Sequence, residues 1–556
     1  MEREAMEFDV VIVGGGPAGL SAAIALKQQD ATLSVCLLEK GAEIGAHLLS
    51  GALFDPVALQ ELLPDGWQQA PLGVPVSDDQ VHLLQSEQRS LQLPAWAVPP
   101  RMHNEGCHIV SLGNLCRWLG QQAEKLGVEI YPGFTASELI MDAGRVKGVI
   151  TGDLGLDRAG NPKADHVPGM ALLGRYTLFA EGARGHLGKQ LIANFNLENP
   201  AQPQHYAIGF KELWQLPAGQ GKAGQVLHGS GWPLGKQGGG NSQGGFYLYH
   251  MEGDQVAVGL IVDLNYQNPW LSPFDEFQCL KHHPLIAGVL QGGERISYGA
   301  RAITKGGWHA LPRMHFPGGL LIGCDAGTLD FSRIKGIHTA MKSGMLAAKT
   351  VAMALRGGDE GGRDLAQYGD ELQQSWLARE LKAARNFGAA LHRYGPWLGG
   401  AFNWLEQRLF GTNSPFKLLD KAHDYRQLRV ASRCEPIHYP KPDGMLSFDK
   451  LSSVYLANTS HDEDQPCHLK LQDARIPVEV NLPTWAEPAQ RYCRPGCLKY
   501  WKRKARRNCR STPPTAFTAR LAISRIPAKT SFGPHRKEAR GRTIPICNEV
   551  RRYQIR

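Results

Sequence analysis

The stretch FDVVIVGGGPAGLSAAIAL, residues 8–26, decides the fold. Its apolar run at 10–13 predicts a buried strand, and residues 21–26 predict a helix. Three glycines with the spacing G-x-G-x-x-G stand between them, and a second apolar run at 33–38 follows. This order of strand, glycine turn, helix and strand predicts a βαβ unit whose turn binds the phosphates of a dinucleotide.

Each residue of this motif has its own predicted role. Gly14 permits the tight turn, Gly16 lets the backbone approach a pyrophosphate, and Gly19 lets the helix pack on the strand. The phosphate is expected at the helix N-terminus, where unpaired N–H groups and the helix dipole favour an anion. Glu39 ends the second apolar run, twenty residues after Gly19, where a carboxylate can accept hydrogen bonds from ribose hydroxyls. The alternative is a plain glycine-rich turn.

A later stretch, GGLLIGCDAGTLDFSRIKGIHTAMKSGMLAA at 318–348, favours FAD over NAD. An apolar strand ends at Gly323 and Cys324, and a glycine-bearing turn leads into a helix rich in Ala and Met. Asp325 could accept from the ribityl chain of a flavin at this second anion-binding turn. The alternative is an ordinary βα packing turn. A third stretch, TLFAEGARGHLGKQL at 177–191, fits the same sheet.

The charge of the chain is divided unevenly along its length. The whole chain has a net charge of +9, but residues 494–556 contain 18 Lys and Arg against 2 acids, a net of +16. The preceding residues therefore carry 43 basic and 50 acidic side chains, a net of −7. The net negative charge of residues 1–493 gives no reason to expect a nucleic-acid partner. The composition of residues 494–556 alone would indicate a polybasic arm.

Other features of the sequence limit the expected location of the chain and the chemical state of its cysteines. No run approaches the roughly 20 apolar residues of a membrane-spanning helix. The N-terminus shows neither a signal h-region nor an Arg/Ser-rich transit segment, which favours a bacterial cytoplasm or a processed organellar chain. The eleven cysteines are scattered, and in a reducing compartment they are expected to be thiols or cofactor ligands.

Several long motifs resemble those of the electron transfer flavoprotein–ubiquinone oxidoreductase family, in order and at similar spacing. The resemblance covers about residues 8–493. It is carried by the opening GGGPAGLSAAIAL and by AIGFKELW, GWPL, GGFYLYHM, YQNPWLSPFDEFQ, KHHP, YGARAI, FPGGLLIGCDAGTL, KGIHTAMKSGMLAA, YPKPDGMLSFD and HDEDQPCHL. Enzymes of that family carry one FAD and one [4Fe–4S] cluster. They take electrons from reduced electron transfer flavoprotein and pass them to ubiquinone at a membrane surface.

The resemblance implies an α/β fold with three parts. A FAD-binding Rossmann-like domain of the glutathione-reductase type carries an inserted mixed-sheet ubiquinone-binding domain and a truncated ferredoxin-like C-terminal domain. The expected boundaries are 1–75, 103–190 and 300–360 for the FAD domain, 76–102 and 191–299 for the ubiquinone domain, 361–493 for a helical membrane-facing segment with the start of the iron–sulfur domain, and 494–556 for an aberrant, disordered basic tail. The implied activity is that of an electron-transferring-flavoprotein dehydrogenase.

The resemblance also assigns residues to the FAD and to the quinone. The FAD loop falls on Gly14, Gly16 and Gly19 with Glu39, and the second FAD segment on Asp325 and on 327–336, from Gly327 to Gly336. The ubiquinone-contacting glycine pair falls on Gly244 and Gly245, where a missing Cβ lets a flat ring lie against backbone.

Two further residues near these motifs have implied effects. By its place in the GGFYLYH motif, His250 is a possible proton donor to the quinone. The alternative is a histidine whose hydrogen bonds are satisfied within a core strand. Asp330 departs from the Asn of many members, and an ionised carboxylate there would lower the flavin potential.

Two segments are expected at the membrane surface. Residues 387–410, FGAALHRYGPWLGGAFNWLEQRLF, mix aromatic and charged side chains, which suits a monotopic interfacial helix. Residues 51–67 are expected beside it. Both could instead be amphipathic helices on the core. The implied location is the cytoplasmic side of a bacterial inner membrane, or the mitochondrial inner membrane in a eukaryote.

The tail departs from the family after Cys493. Members continue with a Cys-Val-His-Cys-Lys-Thr-Cys run, and these cysteines with the equivalent of Cys493 would hold the cluster, which needs four ligands. Here Cys497, Cys509 and Cys547 show no C-x-x-C spacing. Permitted codons for 508–530 can be chosen so that a shifted frame encodes that run, and a frameshift near Cys493 is therefore predicted. Cys493 is then the one remaining candidate ligand.

Two other functions compete with this assignment. A flavin-dependent reductase of the geranylgeranyl-reductase type would share the FAD architecture and act on isoprenoid double bonds. From a different class, the basic tail could bind nucleic acid or anionic lipid. The frameshift hypothesis instead gives the tail no function and predicts no nucleic-acid partner. The expected partners are electron transfer flavoprotein, ubiquinone and a membrane surface.

Overall fold

The computed structural model describes residues 3–48, 51–235, 242–457, 464–466, 473, 475–492, 498–503 and 506–511. The strands are β1 (Ala5–Val13), β2 (Val35–Glu39), β3 (Ala52–Phe54), β4 (Val74–Pro75), β5 (Asp78–Leu84), β6 (Ser90–Leu93), β7 (His108–Val110), β8 (Glu129–Pro132), β9 (Ala136–Asp142), β10 (Arg145–Thr151), β11 (Leu154–Leu156), β12 (Pro162–Val167), β13 (Ala171–Phe179), β14 (Tyr206–Gln215), β15 (Gln225–Gly231), β16 (Gly244–His250), β17 (Gln255–Asp263), β18 (Glu294–Thr304), β19 (His315–Phe316), β20 (Gly319–Leu321), β21 (Leu498–Arg503) and β22 (Arg506–Ser511).

The helices lie between these strands and in the part of the chain after residue 336. They are α1 (Pro17–Gln29), α2 (Val57–Leu62), α3 (Leu112–Lys125), α4 (His186–Asn194), α5 (Pro273–Leu280), α6 (Pro284–Leu290), α7 (Ile337–Arg356), α8 (Gln367–Gln374), α9 (Trp376–Ala383), α10 (Phe387–Leu409), α11 (Lys450–Leu456), α12 (Leu482–Trp485) and α13 (Ala489–Tyr492). A π-helical turn at Ile476–Asn481 precedes α12.

The first sheet is the Rossmann-like sheet that the N-terminal motif predicts. Strands β20, β13, β1, β2 and β8 lie side by side in that order, all parallel. The apolar residues at 10–13 are buried in β1, and α1 is buried along nearly its whole length. Parallel strands covered on both faces read as unbroken apolar runs, as β1 and β2 do. The carboxyl ends of these strands form one edge, where ligands of such sheets bind.

The second sheet is mixed and has its own core. Its order is β18, β14, β17, β16, β15, β5 and β6, antiparallel except for the parallel pair β5 and β15. Fully buried aromatics fill its interior, among them Trp214, Phe210 and Phe277. Strand β18 remains hydrogen-bonded to β14 up to the pair Tyr206 and Thr304. The domain boundary expected at 299/300 falls within this strand.

The segment 51–67 is a core element, so its predicted place at a membrane surface is wrong. Leu59 and Leu62 of α2 are buried, and so is Phe54 before them. All three belong to the hydrophobic core of the first sheet. The spacing that suggested an interfacial helix instead places these side chains against α1 and α7.

Candidate functional site

The turn between β1 and α1 is held by close backbone contacts. Gly14 has φ +113°, and a Cβ there would lie 2.5 Å from the carbonyl oxygen of Ala180. A Cβ on Gly19 would lie 2.0 Å from the oxygen of Gly14. Gly16, by contrast, has no heavy atom within 4 Å of an added Cβ. The turn is therefore closed towards the sheet and open on the side where a ligand would approach the helix.

Glu39 lies at the carboxyl end of β2, beside this turn. Its Oε2 accepts a hydrogen bond from the backbone N–H of Gly15 at 3.0 Å, and its Oε1 accepts from Gly41 at 2.6 Å. The side chain of His47 approaches Oε1 at 3.8 Å. The carboxylate thus lies next to the glycine turn, at the position that the sequence spacing predicts.

The second glycine segment reaches the same sheet edge. Asp325 follows β20 and accepts at Oδ1 from the N–H of Gly185 at 3.2 Å, at the start of α4. A Cβ on Gly323 would lie 2.8 Å from the Cβ of Ala18 in the first turn of α1. Gly327 packs on the amide of Gln204, 2.1 Å from its added Cβ. The structure therefore brings segments 14–19 and 323–327 together, although they are about 310 residues apart in the sequence.

Two helix N-termini at this edge have no side-chain cap. Gly16 is the N-cap of α1, Gly336 is the N-cap of α7, and neither helix is capped by a side-chain hydrogen bond. The free N–H groups of a helix N-terminus favour a phosphate or another anion. The open space at Gly16, the two uncapped helices and the carboxylate of Glu39 fit the two phosphates and the ribose of a dinucleotide.

Asp330 is fully buried and forms an ion pair with an arginine. Its Oδ2 accepts from Nη2 of Arg101 at 2.5 Å, and its Oδ1 accepts from the N–H groups of Ser332 and Arg333. Arg333 continues the network to Asp55 and Glu380, at 2.6 and 2.7 Å. Because Arg101 offsets the charge of Asp330, the expected lowering of the flavin potential by an ionised Asp330 is correspondingly reduced.

The glycine pair and His250 occupy opposite ends of β16. Gly244 lies opposite Val262 in the neighbouring strand, and an added Cβ would lie 1.9 Å from the oxygen of Ile261. His250 is six residues further along, about 20 Å away in an extended strand. Its Nδ1 accepts from the N–H of Lys222 at 3.1 Å, and burial lowers its pKa to about 4. The structure therefore does not bring His250 to the glycine pair.

The described cysteines do not form a metal site. Cys36, Cys107, Cys116, Cys279, Cys324 and Cys434 are separate free thiols. Within the described part of the chain, no group of three or more His, Cys, Asp or Glu side chains could hold a metal ion. Cys493, the one remaining candidate ligand, lies outside the described residues. The side chains of the β21–β22 hairpin, which include Cys509, are not described either. The cysteines that the structure describes therefore provide no site for a [4Fe–4S] cluster.

Helix α10 presents an apolar face to solvent. The helix is kinked at Gly395, where φ is +74°, and Pro396 follows. Beyond the kink, Trp397 and Leu398 are 59 % and 72 % exposed. Trp96 is 70 % exposed beside them, and its carbonyl accepts from Nε1 of Trp404 at 2.8 Å. In the described segments no helix is long and apolar enough to cross a membrane.

The fold and the dinucleotide-binding edge define a class, the flavin-dependent oxidoreductases built on a Rossmann-like sheet. Two solved structures share the fold. A geranylgeranyl bacteriochlorophyll reductase-like protein from Thermoplasma acidophilum superposes with a TM-score of 0.54 at 17 % identity, over 74 % of this chain and 94 % of the other. A flavin-dependent brominase reaches 0.50 at 16 % identity, over 73 % and 90 %.

Sequence comparison then places the chain in one family of that class. Family models match residues 12–63 (NAD(P)-binding Rossmann-like domain), 206–303 (ETF-QO, ubiquinone-binding) and 444–512 (electron transfer flavoprotein-ubiquinone oxidoreductase, 4Fe-4S). The oxidoreductase of that name from Pseudomonas aeruginosa is 59 % identical over 89 % of this chain and 91 % of its own length. The mitochondrial human protein is 47 % identical over 90 % and 82 %. The chain belongs to the electron transfer flavoprotein–ubiquinone oxidoreductase family, whose cofactors are FAD and an iron–sulfur cluster.

The sequence motifs do not predict the roles of some residues near the site. Arg101 meets Asp330 from 229 positions away. His392 lies inside the stretch expected at the membrane surface, yet its partners are Asp263 and Asp420. A lone arginine or histidine carries no spacing pattern, so only the folded chain shows these contacts.

Proposed function

We propose that the protein is a flavoenzyme that takes electrons from reduced electron transfer flavoprotein and passes them to ubiquinone. The observation that carries this proposal is the match of residues 206–303 to the family's ubiquinone-binding model, in a chain whose glycine turns leave the N-termini of α1 and α7 without a side-chain cap. When bound there, FAD supplies the capacity to accept and release electrons singly or in pairs.

The proposed FAD site uses the residues of both glycine segments. The N–H groups of the first turn of α1, after Gly16, would bind the pyrophosphate, and Gly14 and Gly19 keep that turn close to the sheet. Glu39 would exchange its present backbone bonds for ribose hydroxyls. Asp325 and the turn from Gly327 to Gly336 would face the ribityl chain and the ring.

The proposed ubiquinone site lies at the start of β16. Gly244 and Gly245 leave backbone uncovered by side chains, so a flat quinone ring could lie against them. The domain division proposed with this site assigns strands β5 and β6 and residues 191–304 to the ubiquinone domain. The FAD domain then consists of 1–75, 103–190 and 305–360, with the helical segment and the start of the iron–sulfur domain after it.

The proposed membrane contact is the face formed by Trp96, Trp397, Leu398, Leu405 and Leu409. These side chains are half or more exposed, and the guanidinium of Arg408 lies 4.7 Å from the ring centre of Trp404. Aromatic and aliphatic side chains beside a cation suit the boundary between acyl chains and headgroups. The protein would then be peripheral, on the cytoplasmic side of a bacterial inner membrane or on the mitochondrial inner membrane.

A double substitution, Trp397→Ser with Leu398→Ser, tests this face. Each side chain buried in lipid contributes about 1.5–3 kcal/mol, so partition onto vesicles of anionic phospholipid should fall at least tenfold. The measurement is co-sedimentation with vesicles. The control is Met353→Ser, which removes an apolar side chain that is 53 % exposed on α7 and should leave partition unchanged. Equal binding of the double variant and the parent protein would contradict this contact.

The proposal for the C-terminus is that the frame is shifted near Cys493 and that this chain assembles no cluster. The P. aeruginosa relative aligns with 89 % of the chain, which leaves uncovered a share similar to that of the tail. Met445, Leu451 and Tyr455 expose most of their side chains in the part that matches the cluster-binding family model. Exposed apolar side chains are expected where the domain that would cover them is lost.

Turnover with two substrates tests the proposed function. Reduced electron transfer flavoprotein and a short-chain ubiquinone, mixed anaerobically with the protein, should yield ubiquinol. The alternative is an isoprenoid reductase, since the T. acidophilum reductase-like protein shares the fold. This alternative predicts no ubiquinol and a saturated isoprenoid product instead. The nucleic-acid alternative predicts binding that is lost when 494–556 are removed and that weakens steeply with salt.

A further inference from the structure

A buried cluster of charged side chains joins α10 to the strand next to the glycine pair. Nδ1 of His392 lies 2.6 Å from Oδ2 of Asp420, and Nε2 lies 3.2 Å from Oδ2 of Asp263. The ammonium of Lys305 donates to the same Oδ2 of Asp263 and lies 3.4 Å from Nε2 of His392. The amide of Asn265 also contacts the imidazole, at 3.2 Å. His392 and Asp420 are partly exposed, whereas Asp263 and Lys305 are buried.

The second layer of the cluster is a buried histidine. The ring of His205 lies 6.5 Å from the ring of His392. Its Nδ1 lies 2.8 Å from Oδ1 of Asp424, and its Nε2 donates to the carbonyl oxygen of Asp420 at 2.9 Å. Burial alone would lower the pKa of His205, but Asp424 and Asp420 raise it above its ordinary value. The two carboxylates therefore favour positive charge on the ring of His205.

The position of the cluster ties it to the quinone site. The N–H of Asp263 donates to the carbonyl of Gln243 at 2.9 Å, directly before Gly244. The side chain of Gln243 donates to the carbonyl of Leu391 at 2.7 Å, directly before His392. Lys305 lies 4.1 Å from the ring centre of Phe331, in the loop of the second FAD segment. The cluster is thus between the glycine pair, the membrane-facing helix and the flavin loop.

Two acceptors of the cluster lack a hydrogen-bond partner in the described part of the chain. Oδ1 of Asp263 and Oδ1 of Asn265 are both buried and unmatched, and Asp263 is only 2 % exposed. A buried carboxylate oxygen without a donor is costly unless a ligand or water supplies one. Burial would raise the pKa of Asp263, but the charges of Lys305 and His392 hold that pKa well below its usual range. An ionised oxygen is therefore available to a hydroxyl group.

We propose that His392, Asp263 and Lys305 form the proton-delivery group of the ubiquinone site, which deepens the proposed function and rests on it. The reduction of ubiquinone needs two electrons, which come from the reduced FAD, and two protons. For one of them, the Nε2–H bond of a His392 imidazolium breaks, the proton passes along the carboxylate of Asp263, and an O–H bond forms on the quinone. The ring keeps its Nδ1–H towards Asp420 and takes a new proton from water at Nε2 before the next turnover, and the second proton of ubiquinol comes from water.

The test uses the full chain with FAD bound and needs neither the partner protein nor a cluster. The flavin is reduced by light in the absence of oxygen and mixed rapidly with a short-chain ubiquinone, and the return of the flavin absorption is timed. His392→Ala should slow this return by about 100-fold, since a positioned acid contributes 10²–10⁴-fold. Added imidazole, which fits the space left by the side chain, should restore a large part of the rate. The matched control is His282→Ala, a partly exposed histidine bonded to Ser447 that should keep the parent rate.

A second variant distinguishes a loss of proton delivery from a folding defect in His392→Ala. Asp420→Asn keeps the shape and an acceptor but removes the carboxylate that lies 2.6 Å from Nδ1 of His392, so it should bind FAD normally, slow the reaction and change its dependence on pH. An unchanged rate in both variants would overturn the proton-delivery assignment, as would a loss of rate that imidazole fails to restore. If the parent flavin is not oxidised by ubiquinone at all, the proposed function itself fails.

Discussion

Gly19→Ala is expected to abolish FAD binding. An added Cβ would lie 2.0 Å from the carbonyl oxygen of Gly14, which is backbone and cannot rotate away. Helix α1 must then move off β1, and this shift carries its N-terminal N–H groups away from the pyrophosphate. Overpacking of this kind also costs about 1–3 kcal/mol of stability. The measurement is the ratio of flavin to protein after purification, together with the midpoint of thermal unfolding.

The matched control for this prediction is Gly288→Ala in α6. It is also a helical glycine, but an added Cβ there meets nothing within 4 Å. Because Ala lowers the entropy of the unfolded chain, this variant should keep its FAD and gain about 0.4–1 kcal/mol of stability. A Gly19→Ala protein with a full complement of FAD would contradict the assignment of 14–19 as the pyrophosphate site.

The second large effect concerns iron. The chain as its sequence stands is expected to purify with FAD but without a [4Fe–4S] cluster, because one remaining cysteine cannot replace four ligands. Measurements of bound iron and of the EPR spectrum after reduction check this expectation. The control is a chain that continues after Cys493 in the shifted frame, with the Cys-Val-His-Cys-Lys-Thr-Cys run. That chain should gain a cluster, and Cys493→Ser within it should lose the cluster again. A cluster signal from the chain as it stands would refute the shifted frame.

Much of the fold could be predicted because its signals are local. The glycine turn, the apolar strands and Glu39 stand within 40 residues of one another, and the structure confirms the βαβ unit they predict. The structure also places the strand of segment 318–348 in this sheet, where β20 pairs in parallel with β13. A strand that is followed by a glycine turn and a helix is typical of a parallel sheet of this kind.

The remaining features depend on contacts between distant residues. The amphipathic spacing in 51–67 fits a membrane surface and a protein core equally well, and only packing on α1 and α7 decides between them. The motif that contains Gly244 suggested His250 as a donor, but the strand keeps the two far apart. His392 has partners 28 and 129 positions away, so no window of sequence contains the cluster. The roles of these residues remain predictions.

The most direct test of the account is one anaerobic titration of the full chain. Reduced electron transfer flavoprotein is added first, and the flavin band of the protein is recorded; a short-chain ubiquinone is added next. The account predicts that the band bleaches on the first addition and returns on the second, with ubiquinol formed in proportion to the flavin oxidised. A flavin that the partner does not bleach, or that ubiquinone does not restore, would contradict electron transfer to ubiquinone as the function of this protein.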